Sequence, residues 1–199
     1  MDKFDIRVKE FEYKYLADEI KIKDFVKFAN DLAPQRQIEI GSWDVYYSGN
    51  HYDFPFEFIR LRQGEMPQLT IKIRTNDKNN NRREEINVPL DNRVSQDEIS
   101  LVSSAFCGQI KFEENFRIYK YCRIFYYDKV DFVYYLVYDE NMKERGRFIE
   151  IEARQDVEFQ SEEEAWTALK VMEEKLTILG ITAKNRTNLS LWDRYRRVK

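Results

Sequence analysis

Glu10-Phe11-Glu12-Tyr13-Lys14-Tyr15 near the start of the chain and Ile149-Glu150-Ile151-Glu152 near its end share one pattern, with charge on the even positions and a large apolar group on the odd ones. Strand side chains alternate between faces, so Glu10, Glu12 and Lys14 share one face and Phe11, Tyr13 and Tyr15 the other. Two strands between them repeat the split with cations. Arg60 and Arg62 alternate with Ile59 and Leu61, and Lys72 and Arg74 alternate with Ile71 and Ile73. A single strand of this kind is an ordinary solvated sheet face. Four of them, with the carboxylate pairs in the terminal strands and the cations in the central ones, point instead to a sheet closed on itself, charges inward and apolar faces outward under helices.

Outward from these strands, aromatic and β-branched runs mark further strands near 37–48, 55–63, 68–75, 83–88, 112–127 and 131–139, with the outer two near 4–15 and 146–156. Three segments have helical spacing. Ile22, Phe25, Val26 and Ala29 form one; Ile99, Val102 and Phe106 follow the Ser95–Glu98 capping box; Ser161-Glu-Glu-Glu164 opens the third, with Ala165, Leu169, Met172 and Leu176 before Gly180. Residues 76–82 are a polar loop, long enough to serve as a lid, although most such loops only connect. The expected fold is α+β, an eight-stranded antiparallel barrel or tunnel with flanking helices, in one domain over residues 1–199.

Composition narrows the chemistry. The net charge is −3, from 33 Lys+Arg and 36 Asp+Glu, so no global positive field recruits nucleic acid. Cys107 and Cys122 are too few for a disulfide scaffold or a zinc finger, and His51 is the only histidine. Proton chemistry therefore falls to carboxylates and a metal. Hard divalent cations prefer carboxylate oxygens, while Arg and Lys hold phosphate oxygens, so a face offering both suits a metal-chelated phosphate substrate. The early residues carry acidic groups and no long apolar run, which predicts neither signal peptide nor membrane span and a cytoplasmic setting.

Taken in order, Glu10-x-Glu12-x-Lys14, Arg60-x-Arg62, Lys72, Arg83-x-Glu85, Arg123, Asp139 and Gly146-Arg-Phe-Ile-Glu150-Ile-Glu152 resemble the CYTH domain of the triphosphate tunnel metalloenzymes across almost the whole chain. The resemblance implies a tunnel fold, Mg²⁺ or Mn²⁺, and a small-molecule triphosphate substrate. It implies that Glu10, Glu12, Glu150 and Glu152, with Asp139, hold metal; that Lys14, Arg60, Arg62, Lys72, Arg83 and Arg123 clamp phosphate; and that Glu10, Glu12 or Glu85 orients the attacking water. Asp139 reads equally as a turn residue before Glu140-Asn141, and Arg83 with Glu85 as a solvated cross-strand pair. Arg74 and Lys120 fit a tunnel rim or solvent, and Arg186 a late basic contact or a solvated loop cation. The tail around Trp192, Tyr195 and Arg194, Arg196 and Arg197 reads as a segment closing the barrel rather than a base-stacking platform.

The expected activity is hydrolysis of inorganic triphosphate or of an organic triphosphate such as a nucleotide or thiamine ester. The alternatives are cyclisation of ATP to cyclic AMP and pyrophosphate, and a module that captures triphosphates or RNA 5′-triphosphate ends without turnover. Cyclases of the family often carry Lys-x-Arg in the strand before the acidic pair. Here that stretch is Tyr121-Cys122-Arg123, with Lys120 on the opposite face. No membrane or general nucleic-acid partner is expected, and the chain is expected as a monomer or homodimer.

Overall fold

A computed structural model describes residues 7–49, 56–73, 82–91, 95–154 and 156–197, with backbone alone at 7–10, 56, 82–84, 96 and 102. His51, Arg74 and the loop at 76–81 lie outside these residues, as do the side chains of Glu10 and Arg83.

Eight strands carry the fold: β1 (Arg7–Leu16), β2 (Arg36–Ser48), β3 (Phe56–Gly64), β4 (Gln68–Ile73), β5 (Arg82–Pro89), β6 (Glu113–Tyr126), β7 (Val130–Tyr138) and β8 (Glu144–Ala153). They follow one another as β1-β5-β4-β3-β2-β6-β7-β8 and return to β1, every neighbour antiparallel, so the sheet closes as a barrel. Closure is staggered within β1. Its first half, Arg7–Phe11, pairs with β5, and its second half, Glu12–Leu16, pairs with β8. At the β3–β4 turn the backbone of Gly64 has φ +142°, and a Cβ there would lie 2.6 Å from the Gly41 carbonyl, so only glycine fits.

The helices cover the outward apolar face. α1 (Ile22–Asp31) and α3 (Glu162–Leu176) pack on the odd residues of β1 and β8 and on β6 and β7, burying Tyr13, Tyr15, Phe125, Phe132, Ile149 and Ile151. Phe25 of α1 is fully buried among Phe28, Phe125, Phe132 and Tyr134, and truncation to Ala would cost about 3–5 kcal/mol. α2 (Gln96–Gln109), started by the complete Ser95–Glu98 capping box, sets Ile99 and Cys107 against Val45, Tyr47, Ile59 and Leu61. The period of two and the capping boxes therefore placed these elements correctly.

The interior departs from a uniformly polar lumen. Toward one end the inward residues are aromatic: Tyr46, Phe58, Phe116 and Phe148. A fourth helix, α4 (Leu191–Tyr195), which the hydrophobic spacing does not announce, inserts Trp192 among them. It is five residues long and starts at its own capping box, Ser190–Asp193. No helix among the described residues is long and apolar enough to cross a membrane.

Candidate active site

The inward faces enclose a cavity of about 440 Å³ whose lining includes Glu12, Lys14, Arg60, Arg62, Glu85, Lys120, Glu150 and Glu152. Its walls differ in sign. Where β1 meets β8, Glu12 stands opposite Glu152 and Lys14 opposite Glu150. One carboxylate oxygen from each of Glu12, Glu150 and Glu152 lies within 4.8 Å of the others. Lys14 Nζ approaches Glu150 at 2.8 Å and Glu12 at 3.6 Å, and the Tyr135 hydroxyl donates to Glu150 at 2.7 Å. Burial pushes the Glu150 carboxyl up, but Lys14, Lys120 and these hydrogen bonds outweigh it and hold the group well below the usual carboxylate range.

β7 adds a carboxylate that sequence reasoning missed. Asp131 pairs with Glu152 across the β7–β8 ladder and lines the same cavity. Its Oδ1 is buried and makes no hydrogen bond among the described residues. Burial, only partly offset by Arg154, raises its carboxyl to about 7, with Asp156 adding to the rise. The backbone also places Glu10 on the Glu12 face of β1, opposite Arg83 of β5.

The facing wall is basic and carries its own counter-charges. Arg62 donates through Nε to Asp44 Oδ1 at 2.9 Å and through a terminal nitrogen to Oδ2 at 3.3 Å. Asp44 is fully buried; burial opposes its charge, yet Arg62, Arg60 and Lys120 hold it at about 2. Lys72 Nζ donates to Glu85 at 2.7 Å, and Arg60 donates to Thr70 Oγ1 at 2.9 Å. Lys120, buried, sits 4.2 Å from the centre of the Tyr135 ring. Asp44, Tyr135 and Asp131 become visible only once strand registers are known.

Some expected residues lie elsewhere. On β6 the cavity takes Lys120, Cys122 and Ile124, so Arg123, between them in parity, points outward and with Tyr121 holds Glu39. Lys120, expected at a rim or in solvent, is the β6 cation inside. Asp139 sits in the β7–β8 turn, where its carboxylate accepts from the amides of Asn141 at 2.9 Å and Lys143 at 3.0 Å and from Arg145 Nε at 2.8 Å, away from the acidic cluster. The turn reading of Asp139 is the one its surroundings match. Glu85 reaches the lumen but is held by Lys72 on the basic wall. Arg186 lies against the outer face, 3.6 Å above the Tyr13 ring and paired with Glu173.

No family model matches the chain, and no curated protein matches its sequence. Solved structures do. The PH1012 protein of Pyrococcus horikoshii OT3 superposes with a TM-score of 0.67 at 18% identity, covering 91% of this chain and 96% of that one. A candidate adenylate cyclase of Bacillus halodurans superposes at 0.62 and 15% identity, covering 95% and 98%. The chain shares its fold with these proteins. A chain in the Schizosaccharomyces pombe Mediator head module also superposes, at 0.58 and 9% identity, covering 87% and 95%. These likenesses show a shared fold alone, so the activity must be argued from the lumen.

The three gathered carboxylates form an all-oxygen donor set, which fits a hard divalent cation, and Asp131, with its orphaned buried oxygen, lines the same cavity.

Proposed function

We propose that the lumen binds a triphosphate together with a divalent cation and hydrolyses it. The observation that carries this reading is the pairing of opposite chemistries in one cavity, with Glu12, Glu150 and Glu152 gathered within 4.8 Å on one wall and Arg60 and Arg62 lining the other, where Lys72 is bonded to the lining Glu85. Capturing an anion requires only cations; the acidic cluster would repel it unless a metal intervened.

Glu12, Glu150 and Glu152 would hold Mg²⁺ or Mn²⁺, with Asp131, opposite Glu152, as a further carboxylate in the same cavity. Such a cation supplies Lewis-acid neutralisation of phosphate oxygens and an acidified water. Arg60, Arg62, Lys72, Lys120 and Lys14 would hold the phosphate oxygens, spreading the charge of the transition state over several fixed donors. Asp44 and Glu85 already hold the Arg62 and Lys72 side chains in place, so little side-chain freedom is lost when phosphate binds. The reacting water's proton passes to a lumen carboxylate.

Cyclisation of ATP would use the same cradle, with the ribose hydroxyl in place of water. Water is favoured because β6 turns a single cation, Lys120, into the cavity rather than an alternating pair. The test is product analysis by ³¹P NMR with tripolyphosphate, ATP and thiamine triphosphate, each with Mg²⁺, Mn²⁺ or chelator. Metal-dependent release of phosphate or pyrophosphate is expected. Stoichiometric cyclic AMP from ATP would replace hydrolysis with cyclisation, and binding without turnover would leave a capture module.

A further inference from the structure

We propose that Trp192 forms the floor of the tunnel and fixes how many phosphate units lie beyond the bond that is cut. The inference rests on the hydrolytic reading above and concerns the register of the substrate within that site. Trp192 is buried, and its ring stacks on Phe58 at 5.3 Å, Phe116 at 5.7 Å and Tyr46 at 6.3 Å, three inward residues of β3, β6 and β2.

The segment that carries it crosses the end of the barrel as a strap fastened on both sides. Its start is tied to β1, where the Thr187 amide donates to the Lys14 carbonyl at 2.8 Å. Its finish is tied to β6, where the Arg197 amide donates to Asn115 Oδ1 at 2.8 Å. Between them, Ser190, Leu191 and Trp192 line the same cavity as the acidic and basic walls. At the other end the lining includes Gln68, Asn87 and Met66, and Met66 is 54% exposed, so that end opens to solvent.

An aromatic floor stops a polyphosphate twice over. It fills the path, and the faces of its rings offer no donor to phosphate oxygens, whose burial without partners is costly. A chain entering from the open end therefore seats its terminal phosphate at a fixed distance from the carboxylate cluster, and any further units or organic group remain toward the mouth. In the reaction the oxygen of water bonds to one phosphorus as the bridging P–O bond breaks; the leaving phosphate keeps the electron pair, and the proton goes to a lumen carboxylate or solvent. With the floor in place this cut falls at one position counted from the chain end.

The experiment follows products from tri-, tetra- and longer linear polyphosphates by ³¹P NMR for wild type, Trp192→Phe and Trp192→Ala, with melting midpoints recorded for each. Wild type and Trp192→Phe are expected to release one product size from every chain length. Trp192→Ala is expected to give a mixture, with turnover of the longer chains rising several-fold relative to tripolyphosphate. A mixture already present with wild type, or a folded Trp192→Ala protein with the wild-type pattern, overturns the floor while leaving hydrolysis standing. Should Trp192→Ala not fold, the wild-type and Trp192→Phe patterns still decide the matter. If wild type turns over no polyphosphate or organic triphosphate with either metal, hydrolysis fails and the floor falls with it.

Discussion

The two walls of the lumen solve the problem of buried charge in different ways. On the basic wall each strong charge arrives with a partner from a neighbouring strand, Arg62 with Asp44 and Lys72 with Glu85. On the acidic wall Glu12 and Glu150 share Lys14, while Asp131, which feels Arg154, keeps a buried oxygen outside any hydrogen bond among the described residues. Like charges held this close are costly unless a cation enters. The basic wall is thus organised in advance, while the acidic wall gains most from a bound metal.

The contrast is broken most forcefully at the carboxylates. Glu12→Gln and Glu152→Gln are each expected to abolish Mg²⁺- or Mn²⁺-dependent turnover in a folded protein, since even outer partners of a metal site are worth about 10–100-fold. Steady-state rates near wild type for both variants would remove the metal from this wall. Next, Asp44→Asn would strand Arg62 without its counter-charge, at a cost of about 3–5 kcal/mol and a fall of the melting midpoint on the order of ten degrees. A change of a degree or two by calorimetry would show that the basic wall does not depend on its own acids.

A smaller effect comes from ligand linkage. Tripolyphosphate at about a hundredfold its dissociation constant should add roughly 2.7 kcal/mol and raise the midpoint by several degrees beyond chloride of equal ionic strength. Replacing Arg60 and Arg62 together by Ala should erase most of that difference; an unchanged shift would place phosphate elsewhere.

The smallest expected effect is a pH dependence at Asp131. Its folded carboxyl titrates at about 7, above the ordinary value of 3.8, so the folded state holds a proton that the unfolded state has lost over this interval. Stability from this group is full below the ordinary value and declines as pH rises toward 7. In metal-free buffer, Asp131→Asn should therefore gain melting temperature relative to wild type on going from pH 5 to pH 8. Parallel curves for the two proteins would mean that the carboxyl titrates normally.

Much of this arrangement could be read from the chain because strand parity is a local property. Glu12, Lys14, Arg60, Arg62, Lys72 and Glu150 were assigned to charged strand faces before any pairing was known; all but Lys72 line the lumen, and Lys72 is bonded to the lining Glu85. Parity fails where both faces are apolar. β6 buries Cys122 inside and Phe125 under α1, so alternation does not say which of Lys120 and Arg123 turns inward. Asp44 and Asp131 were missed because their roles come from register with Arg62 and Glu152 on other strands. α4 is too short for a periodic signal, though Ser190-x-x-Asp193 has the form of a capping box.

The divided pairing of β1 has a consequence for the order of folding. Residues 7–11 find partners at 82–86, but residues 12–16 must wait for 148–152, among the most distant pairings in the chain. Loop closure makes such contacts late and slow relative to the hairpins β3–β4 and β7–β8. Glu12 stands on one edge of that seam and Glu150 and Glu152 on the other, so three mutually repelling carboxylates are brought together only as the seam zips. A divalent cation present during refolding would relieve that repulsion at the closing step, and the assembly of the site and the completion of the barrel become a single event.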